Sequence, residues 1–315
     1  MLGPIEQMPG VMRNVGGVTD PLAERHERTA TILAELRQAR SRLGGGPPAL
    51  SPAIRALRRI EARLDRPLRL AVVGEFNSGK SSLANLLART ETLPTAVVSN
   101  TRIPTLLCHA REPKIWAVDE PGRRELLRAD QRTLPRSIFR LEVGLPAERL
   151  RAVQILDLPG IADPQFHDPG IDAAVHDVHA VLWCTVSTQA WKESERTAWR
   201  NLPARLRARG LLVATHADLL HDHRDADKLL QRLRGEGGAL FQDVVLVSTL
   251  DALALIGRDG EGAGNAAWTA TGADALEAAL YRLLRNLRDE RADAALRITS
   301  RIANRALSQL NDLAI

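Results

Sequence analysis

At Leu68 the spacing of apolar positions changes. Before it they recur every three or four residues; in Leu68-Arg-Leu-Ala-Val-Val73 they run almost unbroken. Short continuous apolar runs predict buried strands. Similar runs predict strands at 105–110, 114–118, 138–144, 152–157, 180–186, 210–215 and 243–248. Helical spacing between them predicts helices at 80–89, near 171–179, and at 192–202, 223–234 and 251–257. Strands and helices in alternation predict an α/β fold with a mainly parallel sheet covered on both faces.

The two ends of the chain keep the helical period. Asp20-Pro21 is a helix start, an N-cap acid followed by proline at the first helical position. Leu22, Thr29, Leu36 and Leu43 recur every seven residues, with Ile32 and Leu33 between them, until Gly44-Gly45-Gly46-Pro47-Pro48 interrupts. Ser51-Pro52 opens a second helix with Ile54, Leu57, Ile60 and Leu64 on one face. From Ala273 a last helical stripe runs through Leu276, Leu280, Leu283 and Leu287 and continues at Ile298, Ile302 and Leu310. The expected organisation is a flexible tail at 1–19, N-terminal helices at 20–65, the sheet domain at 66–272 and a C-terminal helix at 273–315. The Gly-rich stretch 258–272 reads as a loop. The terminal helices either pad the sheet domain or form a bundle of their own, and their stripes favour the bundle.

Composition adjusts this picture in three places. Aromatic residues make up only 3% of the 315 residues, so the core must be largely aliphatic. The formal charge of +5 and pI of 9.8 raise nucleic acid or an anionic membrane as partners. Arginine alternates with acidic residues along helices, however, as in Arg55-Ala-Leu-Arg58-Arg59-Ile-Glu61, which is the pattern of a solvated surface, and no nucleic-acid partner is expected. Cys108 and Cys184 lie in apolar strand-like runs without metal-ligand spacing, so neither a disulfide nor a metal site is implied. No apolar run approaches the roughly 18 residues of a spanning helix, and the N-terminus lacks a signal-peptide pattern. The expected setting is cytoplasmic, with at most peripheral membrane contact.

The densest chemistry is Gly74-Glu75-Phe76-Asn77-Ser78-Gly79-Lys80-Ser81, which fits the phosphate-binding G-x4-G-K-S pattern between a predicted strand and a predicted helix. Glycines let backbone N–H groups curl around phosphates, and the helix start turns its positive end to the anion. Lys80 is placed to reach the β- and γ-phosphates and Ser81 to ligate Mg²⁺; Asn77, Ser78 and Ser82 complete the nucleotide-binding set. Asp157-Leu158-Pro159-Gly160 follows the strand 152–157. Asp157 there can hold Mg²⁺ through water, and the Gly160 N–H can meet the γ-phosphate. Thr101, in Val97-Val-Ser-Asn-Thr-Arg-Ile-Pro104, is the preferred closing ligand for Mg²⁺, with Thr95 and Thr105 as rivals. Lys80, Thr101, Gly160 and Asn77 form the candidate catalytic set.

For the base, Thr215-His216-Ala217-Asp218 follows a strand. A carboxylate at Asp218 can accept both N1–H and the amino group of guanine, a pair of donors adenine does not offer. The usual guanine pattern has lysine where this chain has His216; an imidazole there can stack instead. Ser248 and Thr249, after the last strand, can offer backbone N–H groups to the guanine oxygen. His216, His221 and His223, or His176 with His179, can be drawn as metal sites, but a polar loop and a solvated helix face account for them more simply. Trp191 reads as packing.

Taken together, Gly74-Glu-Phe-Asn-Ser-Gly-Lys-Ser-Ser82 and Asp157-Leu-Pro-Gly160 resemble the dynamin superfamily, specifically bacterial dynamin-like proteins. Thr101-Arg-Ile-Pro104 is similar to that family's first switch, and Ile138-Phe-Arg-Leu-Glu-Val-Gly-Leu-Pro is similar to its segment before the Asp157 strand. The resemblance implies a P-loop GTPase domain with a helical bundle beside it, GTP or GDP and Mg²⁺ as ligands, and hydrolysis on pairing of GTPase domains in a homodimer or with a hetero-partner, often on membranes. Dynamins proper carry a water-orienting glutamine where this chain has Phe76. Only about 45 residues follow the GTPase domain, so the resemblance leaves a minimal form, a fragment or half of a partnered system. The alternatives are a GTP-binding switch of low turnover and an RNA-associated GTPase.

Overall fold

The computed structural model describes residues 27–43, 51–90, 103–127, 138–160, 175–259 and 266–313. Two helices come first, α1 (Glu27–Leu43) and α2 (Ser51–Asp65). The sheet domain then begins with β1 (Leu68–Gly74) and α3 (Lys80–Ala88). Next come β2 (Thr105–His109), β3 (Lys114–Val118), β4 (Arg124–Leu126), β5 (Arg140–Leu145) and β6 (Val153–Asp157). After β7 (Ala180–Val186) lie α4 (Glu193–Asn201), α5 (Ala204–Arg207) and β8 (Gly210–Thr215). The remainder is α6 (His223–Gly237), β9 (Asp243–Leu246), α7 (Thr249–Asp259), α8 (Ala266–Ala270) and the 41-residue α9 (Ala273–Leu313).

Among the described residues, nine strands form one sheet in the order β4-β3-β5-β2-β6-β1-β7-β8-β9. β6, β1, β7, β8 and β9 run parallel, with Val72 opposite Asp157 on one side and Leu182 on the other. β2 is antiparallel to β6, and β3 is antiparallel to both of its neighbours. The carboxyl ends of β6, β1, β7 and β8 therefore open on one edge, where open α/β sheets hold their ligands.

Along β1 the side chains alternate between two cores. Leu70 and Val72 join a cluster with Leu83 and Leu87 of α3, Trp268 of α8 and Leu276, Leu280, Leu283, Leu284 and Leu287 of α9. Ala71 and Val73 join the opposite cluster, with Trp183, Trp191, Trp199, Leu206, Leu233 and Phe241. A third, smaller cluster holds α1, α2 and α9 together through Ile32, Leu36, Leu57, Ile60, Ala292 and Ala295. Arg37 and Arg40 of α1 add charge-assisted bonds to Glu61 of α2 at 2.8 and 2.6 Å. The terminal helices thus form a bundle.

Several sequence expectations need correction. Residues 266–270 of the predicted loop are helical, because Trp268, only 1% exposed, plugs the core beneath α9. Ile298, expected on the buried stripe, is 43% exposed; the small residues Ala292 and Ala295 make the close helix contacts instead. The last strand ends at Leu246 rather than 248, because Ser248 donates its N–H to Thr271 O and α7 begins at Thr249. β4 and α5 were not legible as elements. His179 does not lie on a solvated helix face: its Nδ1 accepts the Arg69 N–H at 3.0 Å, and its N–H donates to Arg69 O at 2.8 Å. Residues 1–19, the Asp20-Pro21 start and the segment carrying Thr95 and Thr101 lie outside the described residues.

Candidate nucleotide site

β1 delivers the chain to the sheet edge at Gly74. A β-carbon there would stand 2.2 Å from the carbonyl oxygen of Cys184 on β7, so only glycine allows this exit. The loop closes through Ser78 N–H to Glu75 O, at 3.3 Å. Gly79 then sits in the left-handed region at φ 80° as the residue before α3, and no side chain caps that helix start. Uncapped N–H groups at a helix start form a ready anion site. Asn77 is also left-handed, at φ 57°, and is exposed at the loop's crest beside Phe76, which is 69% exposed.

Lys80 is buried in the first turn of α3, its Nζ 2.5 Å from Glu75 O. Burial pushes its ammonium below the ordinary value, with Asp157 and Glu75 among the groups opposing the shift. Asp157, at the end of β6, accepts the Ser81 hydroxyl at 2.6 Å through Oδ2, while its buried Oδ1 has no hydrogen-bond partner. Burial pushes this carboxyl up, against the Ser81 bond and the Lys80 charge. A dehydrated ammonium, a half-satisfied carboxylate and a hydroxyl thus converge within the first turn of α3. Two hard oxygen donors with an orphaned lone pair fit Mg²⁺. Gly160 comes under the loop, where a β-carbon would lie 3.0 Å from Phe76 N. Ser82, the next residue of α3, is half-buried.

The base-side residues approach from β8. Thr215 is fully buried, and its hydroxyl lies 2.8 Å from Ser78 O, 3.2 Å from Thr185 O and 2.9 Å from His216 Nδ1. The hydroxyl has one hydrogen to give among these neighbours, and the role of the imidazole nitrogen follows its tautomer. His216 is left-handed at φ 58°, and a β-carbon on Gly79 would lie 3.2 Å from its Cε1. The ring therefore lies beside the phosphate loop. Asp218 is exposed, with Oδ1 2.9 Å from the buried Ser248 hydroxyl, whose one hydrogen is shared with Asp251 Oδ2 at 2.7 Å. Ser248 thus meets Asp218 through its side chain, since Thr271 occupies its N–H. Thr249 is buried at the start of α7.

Of the predicted set, Gly74, Asn77, Ser78, Gly79, Lys80, Ser81, Asp157, Gly160, Thr215 and His216 surround one loop, and Asp218 and Ser248 pair beside it. Sequence reading missed Lys192 and Ser194, which hold Glu75 at 2.9 and 2.6 Å, and the buried Glu195. The only local signal was Lys192-Glu-Ser-Glu195, a helix start with glutamate at its third position. Trp191 is packing, 2% exposed among other aromatic rings. Among the described residues no group of three or more His, Cys, Asp or Glu could hold a metal, and no helix is long and apolar enough to cross a membrane.

Comparisons with known proteins agree with this geometry. Residues 70–217 match the model of the dynamin family. Dynamin-like protein 2 of Campylobacter jejuni is 26% identical over 203 residues, 62% of this chain and 33% of that protein. The isoniazid-induced protein IniC of Mycobacterium tuberculosis is 39% identical over 113 residues, 33% of this chain and 23% of that protein. The chain thus spans about a third of the first of these relatives and less of the second. A solved structure described as "An oligomerised bacterial dynamin pair provides a mechanism for the long-range sensing and tethering of membranes" superposes with a TM-score of 0.64 at 17% identity, over 95% of this chain and 57% of that one. That likeness is one of fold.

Proposed function

We propose that the chain, whose residues 70–217 match the dynamin family model, is a bacterial dynamin-like GTPase that binds GTP and GDP with Mg²⁺ and hydrolyses GTP. The observation that carries this reading is the convergence of Lys80, Ser81 and the half-satisfied Asp157 at an uncapped helix start. In it, N–H groups from Gly79 onward receive the phosphates and Lys80 lies against the β–γ bridge. Ser81 and Asp157 are the residues to hold Mg²⁺, whose charge, when bound, offsets that of the phosphate oxygens. Thr101 would serve as a further ligand of the ion and, with Gly160, would orient the attacking water. Asn77 is the loop's candidate for the transferring phosphoryl group. Asp218, held by Ser248, reads the guanine edge, and the His216 ring stacks where a lysine stem would lie. The proposed setting is cytoplasmic with peripheral membrane contact, and the proposed partner is a second GTPase domain.

The test is calorimetric titration of the chain with GTP, GDP and ATP in Mg²⁺. GTP and GDP should bind, ATP at least tenfold more weakly, and Lys80→Ala should lose at least tenfold in GTP affinity. ATP binding as tightly as GTP would remove Asp218 from its role, and an unaffected Lys80→Ala would end the reading.

A second reading, a switch with little turnover, draws on the exposed Phe76 at the position of the dynamin glutamine. Turnover per molecule that rises with protein concentration supports hydrolysis on pairing; a flat rate near zero supports the switch.

A further inference from the structure

Glu75 is an unfavourable residue for an anion cradle. Its backbone carbonyl holds Lys80, so its carboxylate lies in the loop assigned to phosphate, where like charges repel. Two side chains from the segment between β7 and α4 meet it: Lys192 Nζ at 2.9 Å from Oε2 and Ser194 Oγ at 2.6 Å from Oε1. The Glu75 side chain is 21% exposed and that of Lys192 43%. Burial alone would raise the Glu75 carboxyl, but these two partners hold it below the ordinary range.

The segment bearing Lys192 is itself fixed. Glu195, 1% exposed, accepts the Lys192 N–H at 2.9 Å, the Thr185 hydroxyl at 2.9 Å and the Trp183 indole N–H at 3.3 Å. Trp191 stands at φ 61°, a costly backbone region for a bulky side chain. Its N–H donates to Thr185 Oγ1 at 3.0 Å, and its ring is locked among Trp183, Trp199 and Phe241. Thr185 O in turn faces the Thr215 hydroxyl, which reaches Ser78 O. The chain of contacts leaves the phosphate loop at Ser78 and returns to it at Glu75.

We infer that Lys192 and Ser194 are positioning residues of the nucleotide site: they neutralise and anchor Glu75, so that the loop keeps its phosphate-receiving shape without presenting an unpaired negative charge. The inference rests on the nucleotide-binding reading of that loop. It separates charge from shape. Removing Lys192 exposes the repulsion of Glu75 toward the nucleotide, and removing the Glu75 charge as well relieves it.

The experiment titrates fluorescently labelled GDP and GTP into the full chain and its variants in Mg²⁺ at low and high salt. Lys192→Met, which keeps the apolar stem, should weaken binding about three- to tenfold, more at low salt. Glu75→Gln with Lys192→Met should return affinity to within about twofold of the parent, and Lys192→Arg alone should stay near it. A repair that is larger at low salt than at high marks relief of charge repulsion rather than loss of a contact. Lys192→Met binding like the parent, or Glu75→Gln failing to restore it, overturns the inference. Those results leave the site's assignment standing, whereas a parent chain that binds no guanine nucleotide removes the assignment itself.

Discussion

One face of the sheet is packed by leucines and alanines from α3 and α9, with Trp268 as its aromatic member; the other is packed around Trp183, Trp191, Trp199 and Phe241. On the aromatic side the rings meet edge-on, with Trp183 centroids 6.1 and 5.7 Å from Trp191 and Trp199. An aliphatic core is non-directional, so it supplies bulk and tolerates adjustment. Rings that meet edge-on fix angles, and an indole N–H needs an acceptor. Of the three indoles here only that of Trp183 has such an acceptor, Glu195, which also orders the segment that grips Glu75; the Trp191 and Trp199 N–H groups have no hydrogen-bond partner. The two faces therefore support the same sheet but reach the phosphate loop differently: the aliphatic one through the body of α3, the aromatic one through Glu195 and the side chains that grip Glu75.

Truncations test this contrast most strongly. Leu284→Ala and Trp199→Ala, both at fully buried positions, should lower unfolding free energy by about 2–5 and 3–5 kcal/mol respectively, read from urea midpoints. Under conditions where both remain folded, Trp199→Ala should also weaken nucleotide binding, and Leu284→Ala should leave it within about twofold. Equal effects on binding would erase the distinction between the faces.

Overpacking the aromatic side is a gentler probe. A β-carbon on Gly210 would lie 2.2 Å from the Trp199 ring. Gly210→Ala should cost about 1–3 kcal/mol and blue- or red-shift the tryptophan emission, with the urea slope unchanged. An unshifted spectrum and melt would show the cluster to be looser than its contacts.

The smallest effect lies at the opposite edge of the sheet. Burial and the charges of Arg291, Arg69 and Arg209 press His179 down to about 4 from 6.5. The unfolded chain takes up this proton near 6.5 and the folded one only near 4, so stability contributed by the neutral ring is lost as pH falls across that window. Denaturation midpoints of His179→Asn, which retains an acceptor for the Arg69 N–H, should vary less with pH there than those of the parent. Parallel curves would exclude His179 as the source.

Much of the nucleotide site is legible in the sequence because phosphate binding by a backbone loop is local chemistry. Gly74, Gly79, Lys80 and Ser81 fall within one turn of chain, and strand-then-helix periodicity identifies their context. Asp157 is legible as a polar residue ending an apolar run, yet its bond to Ser81 spans 76 positions. Lys192 and Ser194 carry no comparable signal, since one lysine and one serine at a helix start are ordinary surface residues. α8 is hidden for a different reason: its five residues are too few for periodicity, and burial of Trp268 sustains it.

Local pattern alone determined the alternation of strand and helix, the glycine-lined loop and the three terminal helical stripes, because backbone sterics and side-chain period act over a few residues. Tertiary structure decided the order of nine strands, the reversal of β2 against β6, the choice of Ala292 and Ala295 as bundle contacts, and the closing of Glu75 by residues 117 and 119 positions away. Those outcomes depend on which surfaces exclude water together and which buried charges find partners. Neither exists until the chain has folded.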